Sequence, residues 1–170
     1  MLMRPSSMFG EHGPWRVSVS LLIVAAGIGL RTWAGGSAGN HTRTVEIEAP
    51  QLTTGGPYAY VRNPIYLGTV IIGIGMVGIL GDARLLVLHA VVSTLLFALV
   101  VPCEEQFLRT KYGGEYEAYF RAVPRLIPKF RPWRGKIERP FFRGVLRGEG
   151  GIILILVCVY LVMRIARHLH

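Results

Sequence analysis

The chain has 170 residues, of which 51% are apolar and only 17% are charged. Soluble globular domains carry about 25% charged residues, so this composition excludes an ordinary soluble domain and indicates an integral membrane protein. Two cysteines, Cys103 and Cys158, are too few for a disulfide framework or a thiolate metal centre. The histidines lack the spacing of a ligand set, and no metal site is predicted.

Apolar windows that approach the roughly 20 residues needed to cross a membrane cover residues 15–34, 65–81 and 85–103. A fourth window, residues 151–163, is shorter, and it either spans the membrane or lies in its interface. The predicted fold is therefore all-α. It is a multi-pass integral membrane helical bundle of three to five membrane helices, with short cytoplasmic amphipathic helices.

The net charge of +9 is unevenly distributed, because 11 of the 19 Lys and Arg residues lie between positions 104 and 149. The positive-inside rule places this segment in the cytoplasm. By alternation, residues 35–64 are then cytoplasmic too. Because the basic residues alternate with Pro, Trp and Phe beside membrane helices, we expect anionic membrane lipids, and not nucleic acid, as their partner.

The loop before the second window is rich in Gly and Pro, and Pro64 suits the first turn of a helix that begins at Pro64 or Ile65. Glycines recur along this helix at positions 68, 73, 75 and 78, a spacing that favours close packing against a neighbouring helix or a flat ligand. Gly81 and Asp82 form the turn to the third helix. His89, inside that helix, either satisfies a neighbouring carbonyl or has a functional role.

Glu104 and Glu105 follow the third apolar window. Charges at such depth are costly, so this pair is a candidate functional site, although charges also commonly end helices. Beyond it, aromatic and aliphatic residues recur at three- and four-residue steps from Phe107 to Val123. This pattern predicts two short amphipathic helices broken at residues 113–114. Their aromatic stripe is more typical of a packing face than of a cofactor cage.

Two segments together carry a family resemblance: GPYAYVRNPIYLG at residues 56–68 and EEQFLRTKYGGEYEAYFRAVPRLIP at residues 104–128. In this order and separation they resemble the isoprenylcysteine carboxyl methyltransferase and phospholipid N-methyltransferase superfamily of integral membrane enzymes. The resemblance covers residues 51–128. It implies S-adenosyl-L-methionine as the cofactor and methyl transfer to a lipophilic acceptor, a lipid amine, thiol or carboxylate, at the cytoplasmic membrane face.

The resemblance also implies roles for individual residues. The implied catalytic residues are Arg62 and Glu105. Glu105 either accepts a proton from the acceptor or forms a structural pair with Arg62 or Arg109. The implied cofactor-binding residues, with Glu104 taking the ammonium group, are Gln51, Leu52, Thr53, Tyr58, Asn63, Pro64, Ile65, Tyr66, Gly68 and Glu104.

Two positions depart from the family pattern. Many relatives carry His where this chain has Asn63, which argues against a histidine-dependent role there. Prenylcysteine methyltransferases carry an arginine one helical turn before the first Glu, whereas this chain has Val100. Because an apolar residue cannot pair with a carboxylate, we expect the acceptor not to be a prenylcysteine carboxylate.

The resulting division of the chain is a membrane methyltransferase domain at residues 1–132, with its cofactor-binding part at residues 51–128. Residues 133–170 form a basic linker and a C-terminal membrane or interfacial helix. Two alternatives remain open at this point. One is an NADPH-dependent membrane reductase related to sterol reductases, and the other is a non-enzymatic lipid-binding helix bundle.

Overall fold

The computed structural model describes residues 14–39 and 51–135, together with positions 141, 143, 145, 150 and 151. Within these residues all regular structure is helical and no β-strand occurs. The all-α fold class predicted from the sequence is therefore confirmed for the described part of the chain. The fourth apolar window and most of the segment 133–170 lie outside it.

Two helices pack side by side along the first half of the chain. They are α1 (Pro14–Ala38) and α2 (Pro64–Leu80). Glycines make this contact possible: a Cβ added at Gly27 would lie only 2.8 Å from the carbonyl oxygen of Gly68, and one at Gly75 would lie 2.8 Å from that of Ser20. Since such distances exclude a side chain, the small residues allow the two backbones to approach directly.

The second half of the chain begins with one long helix of three parts. These are α3 (Ala83–Leu95), a π-helical turn (Leu96–Val100) and α4 (Val101–Tyr112). Asp82 caps its start by accepting a hydrogen bond from the Arg84 amide at 2.9 Å. Pro102 lacks an N–H and would clash with the preceding turn of a regular α-helix. The wider π turn just before it lets the helix continue. The sequence-based view of a separate amphipathic helix after Glu105 is thus corrected, because that segment continues the third helix.

The break predicted at residues 113–114 is confirmed. Gly113 has φ 52°, which favours glycine, and it separates α4 from α5 (Gly114–Ala122). The aromatic stripe of this region is indeed a packing face. Its Tyr116, Tyr119 and Val123 form a buried cluster with Leu52.

Among the described residues, two helices, Trp15–Ala38 and Ala83–Tyr112, are long and apolar enough to cross a membrane. The apolar helix Pro64–Leu80 is shorter, with 17 residues. At 1.5 Å per residue it is about 25 Å long, a little less than a hydrocarbon core of about 30 Å. His89, on α3, is partly buried, and its Nε2 lies 3.0 Å from the Val70 carbonyl oxygen of α2. This contact supports its interpretation as a histidine that satisfies a neighbouring carbonyl.

Candidate active site

A cavity of about 420 Å³ lies where the loop before α2 meets α4 and α5. Its wall is formed by the C-terminal end of α1, the loop 51–63, the first turn of α2, and one face of α4 and α5. The lining residues are Ala38, Gln51, Leu52, Thr53, Tyr58, Arg62, Asn63, Pro64, Ile65, Tyr66, Glu104, Glu105, Leu108, Tyr112, Tyr116 and Tyr119. Apolar and aromatic groups thus surround two carboxylates and one guanidinium.

The loop before α2 is held in place by hydrogen bonds to α5 and to the chain that follows it. A short 3₁₀ turn, Gly56–Ala59, folds the loop, and the Tyr119 hydroxyl donates to the Tyr58 carbonyl at 2.8 Å. The Arg62 amide donates to the Pro124 carbonyl at 2.9 Å. Two segments more than 60 residues apart therefore form one wall of the cavity.

Glu104 presents its carboxylate at the cavity. The Tyr66 hydroxyl donates to its Oε1 at 2.5 Å, and the Tyr66 ring meets Phe97 edge-on at 6.5 Å between centroids. A carboxylate offers about four acceptor positions, so one hydroxyl leaves others for a cationic ligand. The hydrogen bond fixes the side chain for which the family resemblance implies contact with an ammonium group.

Glu105, the next residue, is buried with 4% of its surface exposed. Arg125 donates to it twice, from Nε at 3.1 Å and from Nη2 at 2.5 Å, and Arg62 Nη1 lies 3.3 Å from its Oε1. Arg62 is one of the two partners predicted from the sequence. The other, Arg109, instead pairs with Glu117 at 3.5 Å. With both oxygens engaged by arginines, Glu105 is suited to hold the site together.

Phe120 links the two arginines through its ring. The guanidinium carbon of Arg62 lies 3.8 Å from the ring centroid and that of Arg109 lies 3.9 Å from it. Cation–π contacts of this kind are favourable, more so where they are desolvated. They hold the Arg62 side chain, 9% exposed, beside the cavity.

Three tyrosines around the cavity remain protonated over the physiological pH range. Burial raises the pKa of Tyr116 to about 12, with the Glu105 carboxylate adding to the rise and Arg62 opposing it. Burial also raises the pKa of Tyr58, as does the Glu104 carboxylate, and burial raises the pKa of Tyr119. These hydroxyl groups can therefore act as hydrogen-bond donors but not as bases.

The cavity brings together nearly all residues that the resemblance singled out. Those that line it are Gln51, Leu52, Thr53, Tyr58, Arg62, Asn63, Pro64, Ile65, Tyr66, Glu104 and Glu105. Gly68 is the exception, because it is not among the lining residues. It is buried against α1, where an added Cβ would lie 2.6 Å from the Arg31 side chain and 2.9 Å from the Gly27 carbonyl oxygen.

Sequence reasoning missed several residues of the site. The aromatic stripe was expected to be mainly a packing face, but three of its residues also line the cavity: Tyr112, Tyr116 and Tyr119. Arg125, which engages Glu105 twice, lies 20 residues away in an irregular segment with no periodic signal. Arg31 donates to the Ile65 carbonyl at 3.4 Å and to the Thr69 hydroxyl. An arginine within an apolar window was the available signal for this contact.

Comparison with known sequences supports one family. A sequence model of the phospholipid methyltransferase family matches residues 15–115. The chain is 40% identical over 85 residues to the protein-S-isoprenylcysteine O-methyltransferase of Schizosaccharomyces pombe, a match that covers 45% of the chain and 33% of the relative. It is 31% identical over 118 residues to protein-S-isoprenylcysteine O-methyltransferase B of Arabidopsis thaliana, covering 67% of the chain and 60% of the relative.

A third relative carries a different acceptor in its name. The chain is 38% identical over 71 residues to the methanethiol S-methyltransferase of Crocosphaera subtropica, a match covering 42% of the chain and 27% of the relative. The chain thus spans 60% or less of the length of these curated relatives. The family match covers more than half of the chain and includes the cavity loop and the two glutamates. The chain therefore belongs to the phospholipid methyltransferase family, within the superfamily that includes the isoprenylcysteine carboxyl methyltransferases.

Proposed function

We propose that this chain is an integral membrane enzyme that transfers a methyl group from S-adenosyl-L-methionine to a lipophilic acceptor at the cytoplasmic membrane face. The observation that carries the proposal is the cavity itself. Within it, the Glu104 carboxylate lies beside aromatic and apolar walls. The cavity is located where α2 begins and where the apolar part of the long helix ends. Its volume lies within the range of about 300–1,000 Å³ for small-ligand sites.

The residues at the cavity fit the chemical groups of this cofactor. Glu104 supplies the negative charge that an ammonium group requires, in a charge-assisted contact. Asn63, Ile65 and Tyr66 would surround the methionine part, with Pro64 between them. Ile65 and Tyr66, in the first turn of α2, have amides without an acceptor inside the helix. Gln51, Leu52, Thr53 and Tyr58 would border the adenosine.

When bound, the sulfonium of the cofactor supplies an activated methyl group. The protein contributes mainly by aligning the reacting groups and excluding water. Water is excluded by the apolar and aromatic part of the wall, which includes Leu52, Leu108, Tyr116 and Tyr119. We assign Glu105 to positioning, because Arg125 and Arg62 already engage its oxygens. In this role it connects the loop before α2 to α4.

The acceptor follows from the charges at the cavity. A carboxylate acceptor would have to leave water, which is costly without a partner. Val100, where prenylcysteine methyltransferases resembling this chain carry arginine, is apolar. Arg109 pairs with Glu117, and Arg62 with Glu105. We therefore propose a lipid amine or a hydrophobic thiol as the acceptor, in preference to a prenylcysteine carboxylate.

The proposed topology places the loop before α2 and the segment after Glu104 on the cytoplasmic side. It rests on the concentration of Lys and Arg after Glu104. Cysteines introduced one at a time at positions 40 and 115 should react with a membrane-impermeant reagent from the same side in oriented vesicles. Labelling from opposite sides would contradict the topology.

The function is tested by incubating the purified full chain with methyl-labelled S-adenosyl-L-methionine and either fractionated membrane lipids or small thiols. Label should appear in an amine-lipid or thiol fraction. It should fall strongly in Glu104→Gln and persist in Glu115→Gln, a matched change of an exposed carboxylate outside the cavity lining. Binding of neither the cofactor nor S-adenosylhomocysteine would instead support the lipid-binding bundle.

A further inference from the structure

An irregular segment after α5 exposes large apolar side chains. We call residues 124–134 the anchoring segment; its sequence is PRLIPKFRPWR. Within it Leu126 is 42% exposed, Ile127 is 77% exposed and Phe130 is fully exposed. Single exposed apolar residues are ordinary on protein surfaces, but three within five positions form a patch.

The backbone of the anchoring segment is fixed, so this exposure is not that of a loose end. The Lys129 amide donates to the Tyr60 carbonyl at 3.1 Å, and the Trp133 amide donates to the Ala59 carbonyl at 2.9 Å. The Trp133 ring packs on Tyr119 at 5.3 Å between centroids. Lys129 also donates from its ammonium group to the Ala122 carbonyl at 2.9 Å. The structure therefore presents Ile127 and Phe130 outward on a braced loop.

These hydrogen bonds place the segment at one end of the membrane helices. Tyr60 precedes the start of α2 at Pro64 by only four residues, and α2 is an apolar helix. Arg125 reaches Glu105, which lies just beyond the apolar part of the long helix. In the proposed topology, this end of the helices is where the hydrocarbon core of the bilayer gives way to its head groups.

The charge of the segment matches an anionic surface. Between residues 118 and 135 there are five Lys and Arg residues and no Asp or Glu. Arg131 and Arg134 are exposed and directly follow Phe130 and Trp133, respectively, in the sequence. Basic residues beside aromatic and aliphatic ones are typical of interfacial membrane contacts. Nucleic acid would use the arginines but would leave Ile127 without a partner.

We propose that the anchoring segment inserts Ile127 and Phe130 into the cytoplasmic leaflet and places Arg131 and Arg134 among anionic lipid head groups. The segment also carries Arg125 and the Pro124 carbonyl, which hold Glu105 and the Arg62 amide. Membrane contact at this point therefore braces the cavity wall from outside. This role does not depend on which methyl acceptor the enzyme uses.

The test measures immersion depth in the full chain, with both cysteines replaced by alanine. A spin label is attached at Ile127→Cys or at Phe130→Cys, with Glu115→Cys as the control on an exposed carboxylate of α5. The protein is placed in nanodiscs of phosphatidylcholine with or without phosphatidylglycerol. Oxygen should enhance the relaxation of the spin labels at positions 127 and 130 more strongly than a water-soluble nickel chelate does. The label at 115 should show the reverse.

A second arm tests the lipid charge. Phosphatidylglycerol should increase the immersion of the label at 127, and Arg131→Gln with Arg134→Gln should remove that increase. Each arginine near an anionic surface is expected to change the membrane preference roughly fivefold. Access of the nickel chelate to positions 127 and 130 equal to that at 115 would overturn the proposal. Protection of both labels from oxygen and from the nickel chelate would also overturn it, because it would indicate that a protein surface covers them. Equal immersion of the label at 127 with and without phosphatidylglycerol would overturn it as well.

Discussion

The ion pair between Arg125 and Glu105 should contribute far more to stability than a similar pair on the protein surface. Arg125→Met removes two N–H donors, at 3.1 Å and 2.5 Å, from the carboxylate of Glu105, whose side chain is 6% exposed. Arg121→Met is the matched control. Its Nε lies 3.1 Å from a Glu117 oxygen, the same distance, but that carboxylate is 40% exposed. The two variants thus differ in the burial of the partner carboxylate and in the number of hydrogen bonds that are removed.

The expected magnitude follows from these geometries. A hydrogen bond to a charged group contributes about 1.5–3 kcal/mol, and removing one partner of a buried pair costs about 3–5 kcal/mol. Two features reduce this figure: the Arg125 side chain is 40% exposed and so partly screened, and Arg62 remains 3.3 Å from Glu105. We expect Arg125→Met to lower the free energy of unfolding by about 2–3 kcal/mol. Arg121→Met should lower it by about 0.5 kcal/mol or less.

The assay is unfolding of the purified chain in mixed micelles by titration with sodium dodecyl sulfate, followed by circular dichroism. A double-mutant cycle of Arg125→Met with Glu105→Gln isolates the pair. It should give a coupling energy of about 2 kcal/mol. Equal stability of the Arg125→Met and Arg121→Met variants would refute the reasoning, because it would mean that the Glu105 carboxylate is solvated or is held by Arg62 alone.

Three further predictions concern helix packing, pH and the acceptor. Gly27→Ala should lower the unfolding free energy by about 1–3 kcal/mol, because its Cβ would lie 2.8 Å from backbone atoms of α2, whereas Gly29→Ala, with no atom within 4 Å, should leave it unchanged or slightly raised. Because the pKa of Tyr116 is raised to about 12, its contribution to the stability of the folded state is fully present below pH 10 and should be lost as the pH rises through about 12. The unfolding midpoint of Tyr116→Phe should therefore depend less on pH over that range than that of the unmodified chain. Val100→Arg should increase methylation of a farnesylated cysteine analogue relative to amine and thiol acceptors, and robust turnover of the analogue by the unmodified chain would contradict the proposed acceptor class.

Much of the site could be predicted because its residues lie in two short segments with strong local signals. Pro64 marks the start of α2, and the apolar run before Glu104 marks the end of a membrane window. The continuity of the helix through Pro102 was not predictable in the same way. It depends on the π turn at Leu96–Val100, and Pro102 by itself argues for a break.

The remaining differences between the sequence-based expectations and the structure concern which neighbour a residue meets. Gly68 belongs to a row of glycines that suits either a helix or a ligand, and only the position of α1 decides that it faces Gly27. Arg125 was missed because several arginines surround Glu105 in the sequence, and pairing across 20 residues has no periodic signature. Tyr116 and Tyr119 serve both the core and the cavity wall, which an amphipathic pattern cannot distinguish.

The central claim is that the cavity binds S-adenosyl-L-methionine through Glu104. Calorimetric titration of the purified full chain with the cofactor tests it most directly, with Glu104→Gln beside the matched Glu115→Gln. The account predicts saturable binding that Glu104→Gln weakens by about 1.5–3 kcal/mol, roughly 10- to 150-fold, while Glu115→Gln leaves it unchanged. Binding of equal strength in the Glu104→Gln variant, or no binding to the unmodified chain, would contradict the claim.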